Sequence, residues 1–187
     1  AGSESRYALE GYLFPDTYEI PRGASEEEII SLMLHRMNKI IDQSFEKRAR
    51  EMGMTTHEII TLASIVEKEA AVADERGLIA SVFFNRLADN YLLQSCATVQ
   101  YILGEVKPVL STKDTQIEST YNTYLYPGLP PGPISAPGDG SIKAALYPEN
   151  SEYYYFVTRN DGSKGHYFGR TLQEHNENIA RAEQNKK

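Results

Sequence analysis

The stretch from Ala63 to Ala70, ASIVEKEA, sets two carboxylates and a lysine at the end of an apolar run. Projected at about 100° per residue, residues 57 to 70 place Ile59, Leu62, Ile65 and Val66 on one side of a helix. Glu69 falls between Leu62 and Ile65 on that projection, whereas Lys68 points away from the apolar centre and Glu67 lies toward its far margin. A carboxyl group among apolar side chains is costly to ionise, and its pKa climbs toward the range of about 6 to 7 where a general acid works near neutral pH. Glu69 is therefore the candidate acid. Two structural alternatives stand beside it: a helix end open to solvent, or an ion pair with Arg76 or Arg86.

Other chemistries have less support. His57-Glu58 begins like the zinc-protease helix H-E-x-x-H, but Thr61 stands where the second histidine belongs. The four histidines, His35, His57, His166 and His175, lack tight ligand spacing, and Cys96 is the sole cysteine. Neither a metal centre nor an internal disulfide is expected from such a set. Cys96 is read as a small buried hydrophobe before a thiol nucleophile. No nucleophile elbow and no Walker loop occurs, so nucleotide chemistry has no footing. The polar series Gln94, Ser95, Thr98, Gln100, Asn122 and Thr123 offers uncharged donors and acceptors suited to hydroxyl and N-acetyl groups. Such residues also cap helices and fix turns. Seven tyrosines between Tyr121 and Tyr155 could present ring faces to a sugar chain, although tyrosines at strand spacing are usually structural.

The elements that must position these groups are legible as patterns. After LEGYLFPDTYEI, with Pro15-Asp16 as a turn, Ser25 and Glu28 form a capping box. Ile29, Met33, Met37, Ile40, Ile41, Phe45 and Met52 then recur at helical spacing as far as Gly53, which predicts one long amphipathic helix. Thr55 and Glu58 open a second helix, the one carrying Glu69, and a third is predicted from about Asp74 to Leu87. Five of the nine prolines lie between Pro127 and Pro137, so YPGLPPGPISAPG is a stiff loop. A short helix from Ser141 to Leu146, a hairpin of YYYFVTR and GHYFGR around Asp161-Gly162, and a polar helix from Thr171 complete the chain.

At 187 residues the chain is long enough to bury a core without metals or disulfides, and 41% hydrophobic with 24% charged residues is ordinary for a globular protein. A net charge of −7 without a basic stripe argues against nucleic-acid binding. No run approaches the roughly 18 apolar residues of a membrane span.

Taken together, LEGYLFPDTY, ASIVEKEA, ERGLIASVFFNRL, LQSCATVQY, YNTYLYPGLPPGPISAPG, and YYYFV followed by HYFGRTLQEHN resemble the MltG/YceG-like family of endolytic murein transglycosylases. Six blocks in one order are far more specific than any single motif. The resemblance implies that the second glutamate of the E-K-E triplet, Glu69, is the catalytic acid. It further implies cleavage of the β-1,4 bond between N-acetylmuramic acid and N-acetylglucosamine without water, the muramyl C6 hydroxyl attacking its own anomeric carbon to leave a 1,6-anhydro end. Gln94, Ser95, Thr98, Tyr121, Asn122 and Thr123 would then line the glycan cleft. Glu10, which is as readily a structural anchor, and Asn85 and Arg86, which would position the catalytic helix, are supporting residues by the same likeness. Cys96-Ala97 departs from the Asp-Pro common at this point, so no role is carried over to Cys96.

The expectation is thus an α+β fold, helix-rich with a small antiparallel sheet, acting without metal or cofactor. Residues 1–22 would be the tail of a LysM-like subdomain, and residues 23–187 the catalytic domain. Peptidoglycan strands are the implied substrate and cell-wall synthases candidate partners, with no nucleic acid involved. The resemblance also implies a membrane anchor in the full protein, on the extracytoplasmic face of the bacterial cytoplasmic membrane. Two rival readings are a muramidase-type hydrolase using Glu10 or Asp74 as second carboxylate, and a glycan-binding module in which Glu69 is structural.

Overall fold

A computed structural model describes residues 7–186. Helix α3 (Thr56–Glu69) is its axis. Thr55 caps the helix by accepting the Glu58 N–H at 3.2 Å, and the Glu58 carboxylate accepts the Thr55 N–H at 2.7 Å. From Ile59 to Val66 every residue is buried, so this helix is covered on all sides rather than on a single stripe. Its covering comes mainly from α6 (Asp139–Leu146) and α4 (Arg76–Ala88), which follows a 3-10 turn at Ala73–Glu75.

The periodic run from Ser25 to Gly53 is two helices, not one: α1 (Glu26–Ile40) and α2 (Gln43–Glu51). Asp42 makes the break. Its side chain accepts the Phe45 N–H at 2.9 Å and the Ser44 hydroxyl at 2.6 Å, which starts a new helix in place of continuing the old one. Periodicity is blind to this because Met37, Phe45 and Ala49 bury against the same core on both sides of the break.

Helix α5 (Cys96–Leu103), ended by Gly104 at φ +73°, occupies a segment that reads only as a polar series. The remaining α-helices and the hairpin fall where the patterns put them, and a 3-10 turn at Asp114–Gln116 was not expected. Strands β1 (Tyr155–Thr158) and β2 (His166–Gly169) pair antiparallel in the register Tyr155 with Gly169 and Thr158 with His166, and α7 (Leu172–Gln184) packs against both.

One face of α3 holds the proline loop. His57 accepts the Tyr12 hydroxyl at Nδ1 and donates from Nε2 to the Pro131 carbonyl, both at 2.8 Å, so it clamps the first block to the loop. Ser64 accepts the Ile134 N–H at 3.0 Å, and Ser135 donates to the Ser64 carbonyl at 3.0 Å. Glu67 accepts the Gly138 N–H at 3.1 Å and the Ser141 hydroxyl at 2.6 Å, anchoring the start of α6. Glu67 is thus a structural residue.

Gly11 shows how tightly the first block is set. Its φ is +83°, and a Cβ there would lie 2.4 Å from the Pro133 Cγ. Gly11→Ala is expected to cost about 2 kcal/mol through left-handed strain and overlap with the loop. Urea denaturation checks this, and an unchanged midpoint would contradict the contact.

Candidate active site

Glu69 is the last residue of α3, where the helix leaves the core and reaches an open cavity of about 440 Å³. Arg86, Leu93, Gln94, Cys96, Tyr124, Tyr155, Leu172 and His175 contribute to the walls. Both hydrogen bonds to the Glu69 carboxyl fall on Oε1: the Ser95 hydroxyl at 2.5 Å and the Ala97 N–H at 3.4 Å. Ser95 is the N-cap of α5, yet its hydroxyl makes no capping bond and turns to Glu69 instead. The positive end of α5 therefore also faces this oxygen. Among the described residues Oε2 has no hydrogen-bond partner.

Opposed forces act on this carboxyl. Burial pushes its pKa up and is the largest influence, while the Ser95 hydroxyl, the Ala97 N–H and the field of His166 pull it down. The upward push prevails. Neither Arg76 nor Arg86 pairs with it, so the ion-pair alternative is excluded. What results is a carboxyl that can hold a proton and is also prepared to lose it, which a group acting first as acid and then as base requires.

The position of Ser95 is fixed from behind. Its N–H donates to the Thr123 Oγ1 at 3.0 Å, and Thr98 bonds both the Ser95 carbonyl at 2.8 Å and Thr123 Oγ1 at 2.9 Å. Asn122, fully buried, donates to the Thr115 and Ile117 carbonyls at 3.1 and 2.8 Å and accepts the Tyr124 N–H at 3.0 Å. Gln94 is exposed on the cavity wall with φ +50°, a left-handed geometry that lets its N–H reach the Thr123 carbonyl at 3.0 Å.

These features coincide with a family pattern. The profile of the YceG-like family matches residues 1–181. The chain belongs to the YceG-like family. It is 40% identical over 172 residues to the endolytic murein transglycosylase of Bacillus subtilis, covering 91% of this chain and 47% of that protein. It is also 37% identical over 184 residues to the endolytic murein transglycosylase of Streptococcus pneumoniae, covering 95% of this chain and 33% of that one. The chain thus spans half or less of the length of these relatives. A crystal structure of a YceG-like protein from Listeria monocytogenes superposes with a TM-score of 0.85 at 44% identity, over 94% of this chain and 56% of the other. The α+β fold is therefore that of the YceG-like family.

Within this YceG-like fold the residues singled out from sequence fall into three groups, with Glu10 apart from them. Gln94 lines the cavity with Glu69, and Ser95, buried, bonds the Glu69 carboxyl from outside the lining. Thr98, Asn122 and Thr123 form the buried network behind Ser95, and Tyr121 is buried with its ring against Tyr101, so these four support the wall rather than face the opening. Asn85 and Arg86 hold backbone: Asn85 donates to the Ser151 and Tyr153 carbonyls at 3.0 and 2.8 Å, and Arg86 to that of Tyr154 at 2.7 Å. Glu10 lies in the first block, outside the cavity lining.

Sequence reasoning missed several neighbours. Tyr124 and Cys96 meet at 3.1 Å between Oη and Sγ on the wall, where Cys96 is exposed and not the buried hydrophobe expected of it, and partial desolvation pushes the pKa of both upward. Glu75 accepts the His166 N–H at 3.0 Å and meets its Nδ1 at 2.7 Å, latching the hairpin to the turn after α3. The only advance signal for His166 and His175 was their place in the HYFGRTLQEHN block. Among the described residues no group of three histidine, cysteine or acidic side chains is arranged to hold a metal, and no helix is long and apolar enough to cross a membrane.

Proposed function

We propose that this chain is the catalytic part of an endolytic peptidoglycan lytic transglycosylase with Glu69 as its single acid and base. One observation carries the reading: among the described residues that line the cavity, Glu69 is the only carboxylate. A hydrolase of the common kind needs two, spaced about 5 to 9.5 Å apart, the second to attack or to activate water. The two candidates for that second role, Glu10 and Asp74, are absent from the lining, and the nearby Glu75, outside the lining as well, is held by His166. The names of the relatives point to the same substrate.

In this reaction neutral Glu69 gives its proton to the glycosidic oxygen as the bond to the muramyl anomeric carbon breaks. The resulting carboxylate is stabilised by Ser95, the Ala97 N–H and the start of α5. It then accepts the proton of the muramyl C6 hydroxyl as that oxygen bonds to the anomeric carbon. The attacking group belongs to the substrate, so proximity takes the place of a second activating residue. No metal enters. The substrate is the glycan strand, met outside the cytoplasmic membrane. In the full protein, residues 1–22 would join a LysM-like subdomain and an anchor, near the synthases that make the strand.

Ser95→Ala tests the acid–base cycle. Loss of a hydrogen bond to a charged group, worth roughly 1.5 kcal/mol, is expected to lower turnover about tenfold. It should also shift the pH–rate limb set by Glu69 to higher pH, since the lost donor favoured the carboxylate. A limb that stays in place would contradict the role given to Ser95.

The endolytic part is tested by the size of early products. Long purified glycan strands incubated with this chain should first yield fragments of intermediate length. Release of disaccharides alone from the outset would overturn the endolytic assignment.

A further inference from the structure

Helix α7 sends three residues into the cavity that the reaction above leaves unused. Leu172, His175 and Ile179 all line it, and their spacing of three and four residues puts them on one helix face. Leu172 is 59% and Ile179 37% exposed, so two large apolar side chains flank a polar one on an open wall. The imidazole is held rigidly: it stacks on Tyr155 with centroids 5.1 Å apart and planes 24° from parallel, and the Arg86 guanidinium lies 5.2 Å from the centre of the same tyrosine ring.

Its hydrogen bonding is incomplete. Nδ1 is buried without a partner, and Nε2 has none either among the described residues, although it is not buried. Burial and the nearby Arg86 charge keep the ring neutral, so one nitrogen carries the proton. Orphaned buried N–H groups are rarer than under-satisfied buried acceptors, which places the proton on Nε2 and the lone pair on Nδ1. The α7 side of the cavity therefore presents one neutral N–H donor between two aliphatic side chains.

We propose that Leu172, His175 and Ile179 form a subsite for the N-acetyl group of a sugar, with His175 Nε2–H donating to the acetamide carbonyl and the two aliphatic side chains taking its methyl. An amide carbonyl only accepts, matching a site that only donates, and its methyl matches the apolar flanks. A hydroxyl would use neither flank. His175 is on this reading a specificity-determining residue, and the assignment rests on the glycan substrate proposed above.

The test is calorimetric titration with two neutral tetrasaccharides, chitotetraose, which carries acetamido groups, and cellotetraose, which does not. This chain should bind chitotetraose about tenfold more tightly, the worth of one hydrogen bond of roughly 1.4 kcal/mol. His175→Phe keeps the stack on Tyr155 and removes both nitrogens, and it should abolish the preference. In His175→Gln, which keeps a donor of similar reach, part should return. A preference unchanged in His175→Phe would overturn the subsite while leaving the glycan reading intact, whereas failure of the unsubstituted chain to bind either sugar would overturn both. Nitrogen NMR of the unsubstituted protein guards against a misfolded variant. It should show the Nε2–H tautomer with a signal moved by chitotetraose, and an Nδ1–H tautomer would contradict the proposal.

Discussion

Glu69→Gln is expected to lower strand cleavage by at least about 10³-fold while the fold persists. General acid–base assistance is worth about 10² to 10⁴ when a group serves one proton transfer, and Glu69 is given two. Glutamine is nearly isosteric, and its carbonyl oxygen can still accept from Ser95 and Ala97, so the wall should keep its shape. The same variant should be more stable than the parent at neutral pH. Burial raises the pKa of Glu69 in the folded chain, so the folded state binds more protons than the unfolded one above the ordinary carboxyl value of 4.5. Stability is then lost as pH rises through that window, and glutamine, which cannot ionise, escapes the loss. Thermal melts of both proteins at pH 7 and pH 4 check the sign, with the variant's advantage shrinking on acidification. Undiminished turnover would remove Glu69 from the chemistry, and an equal melting difference at both pH values would refute its raised pKa.

Arg86→Met is expected to destabilise the domain by about 3 to 5 kcal/mol, lowering its melting temperature by roughly 10 °C. Arg86 is only 8% exposed, and its guanidinium donates to the Leu93 carbonyl at 2.7 Å, the Leu92 carbonyl at 3.3 Å and that of Tyr154 at 2.7 Å. Methionine fills most of the volume but strands those carbonyls away from water. The segment so released runs directly into Gln94 and Ser95, so cleavage should fall along with stability. Arg86→Lys should fare little better, because a single ammonium cannot span carbonyls from two segments as a planar fork does. Urea unfolding measures the cost. A loss below about 1 kcal/mol would mean that water replaces the guanidinium, and that Arg86 is not the tie between the hairpin and the 92–95 segment.

How far these features could be read in advance depends on the range of the interaction that creates them. Glu69 was legible because a carboxylate inside an apolar helical stripe is a local conflict, visible on one helix. The capping boxes, the proline loop and the hairpin were legible for the same reason. The break at Asp42 was not, since a cap is one side chain against a continuing hydrophobic period. Thr98, Asn122 and Thr123 read as cleft donors by type, yet their hydroxyls and amide are spent on one another and on backbone, which only the meeting of α5 with the 121–124 segment decides. His175 lies in a polar helix at the far end of the chain. It meets the cavity only because α7 docks on the hairpin, a contact no local pattern encodes.

The most direct test of the single-carboxylate account is mass spectrometry of the ends made when this chain acts on purified peptidoglycan strands. Muramyl ends lighter by one water than a hydrolytic product, in the 1,6-anhydro form, are expected, and none from Glu69→Gln. Ends that carry the added water would show that a water molecule attacks, and would contradict the claim that Glu69 works alone with the substrate's own hydroxyl.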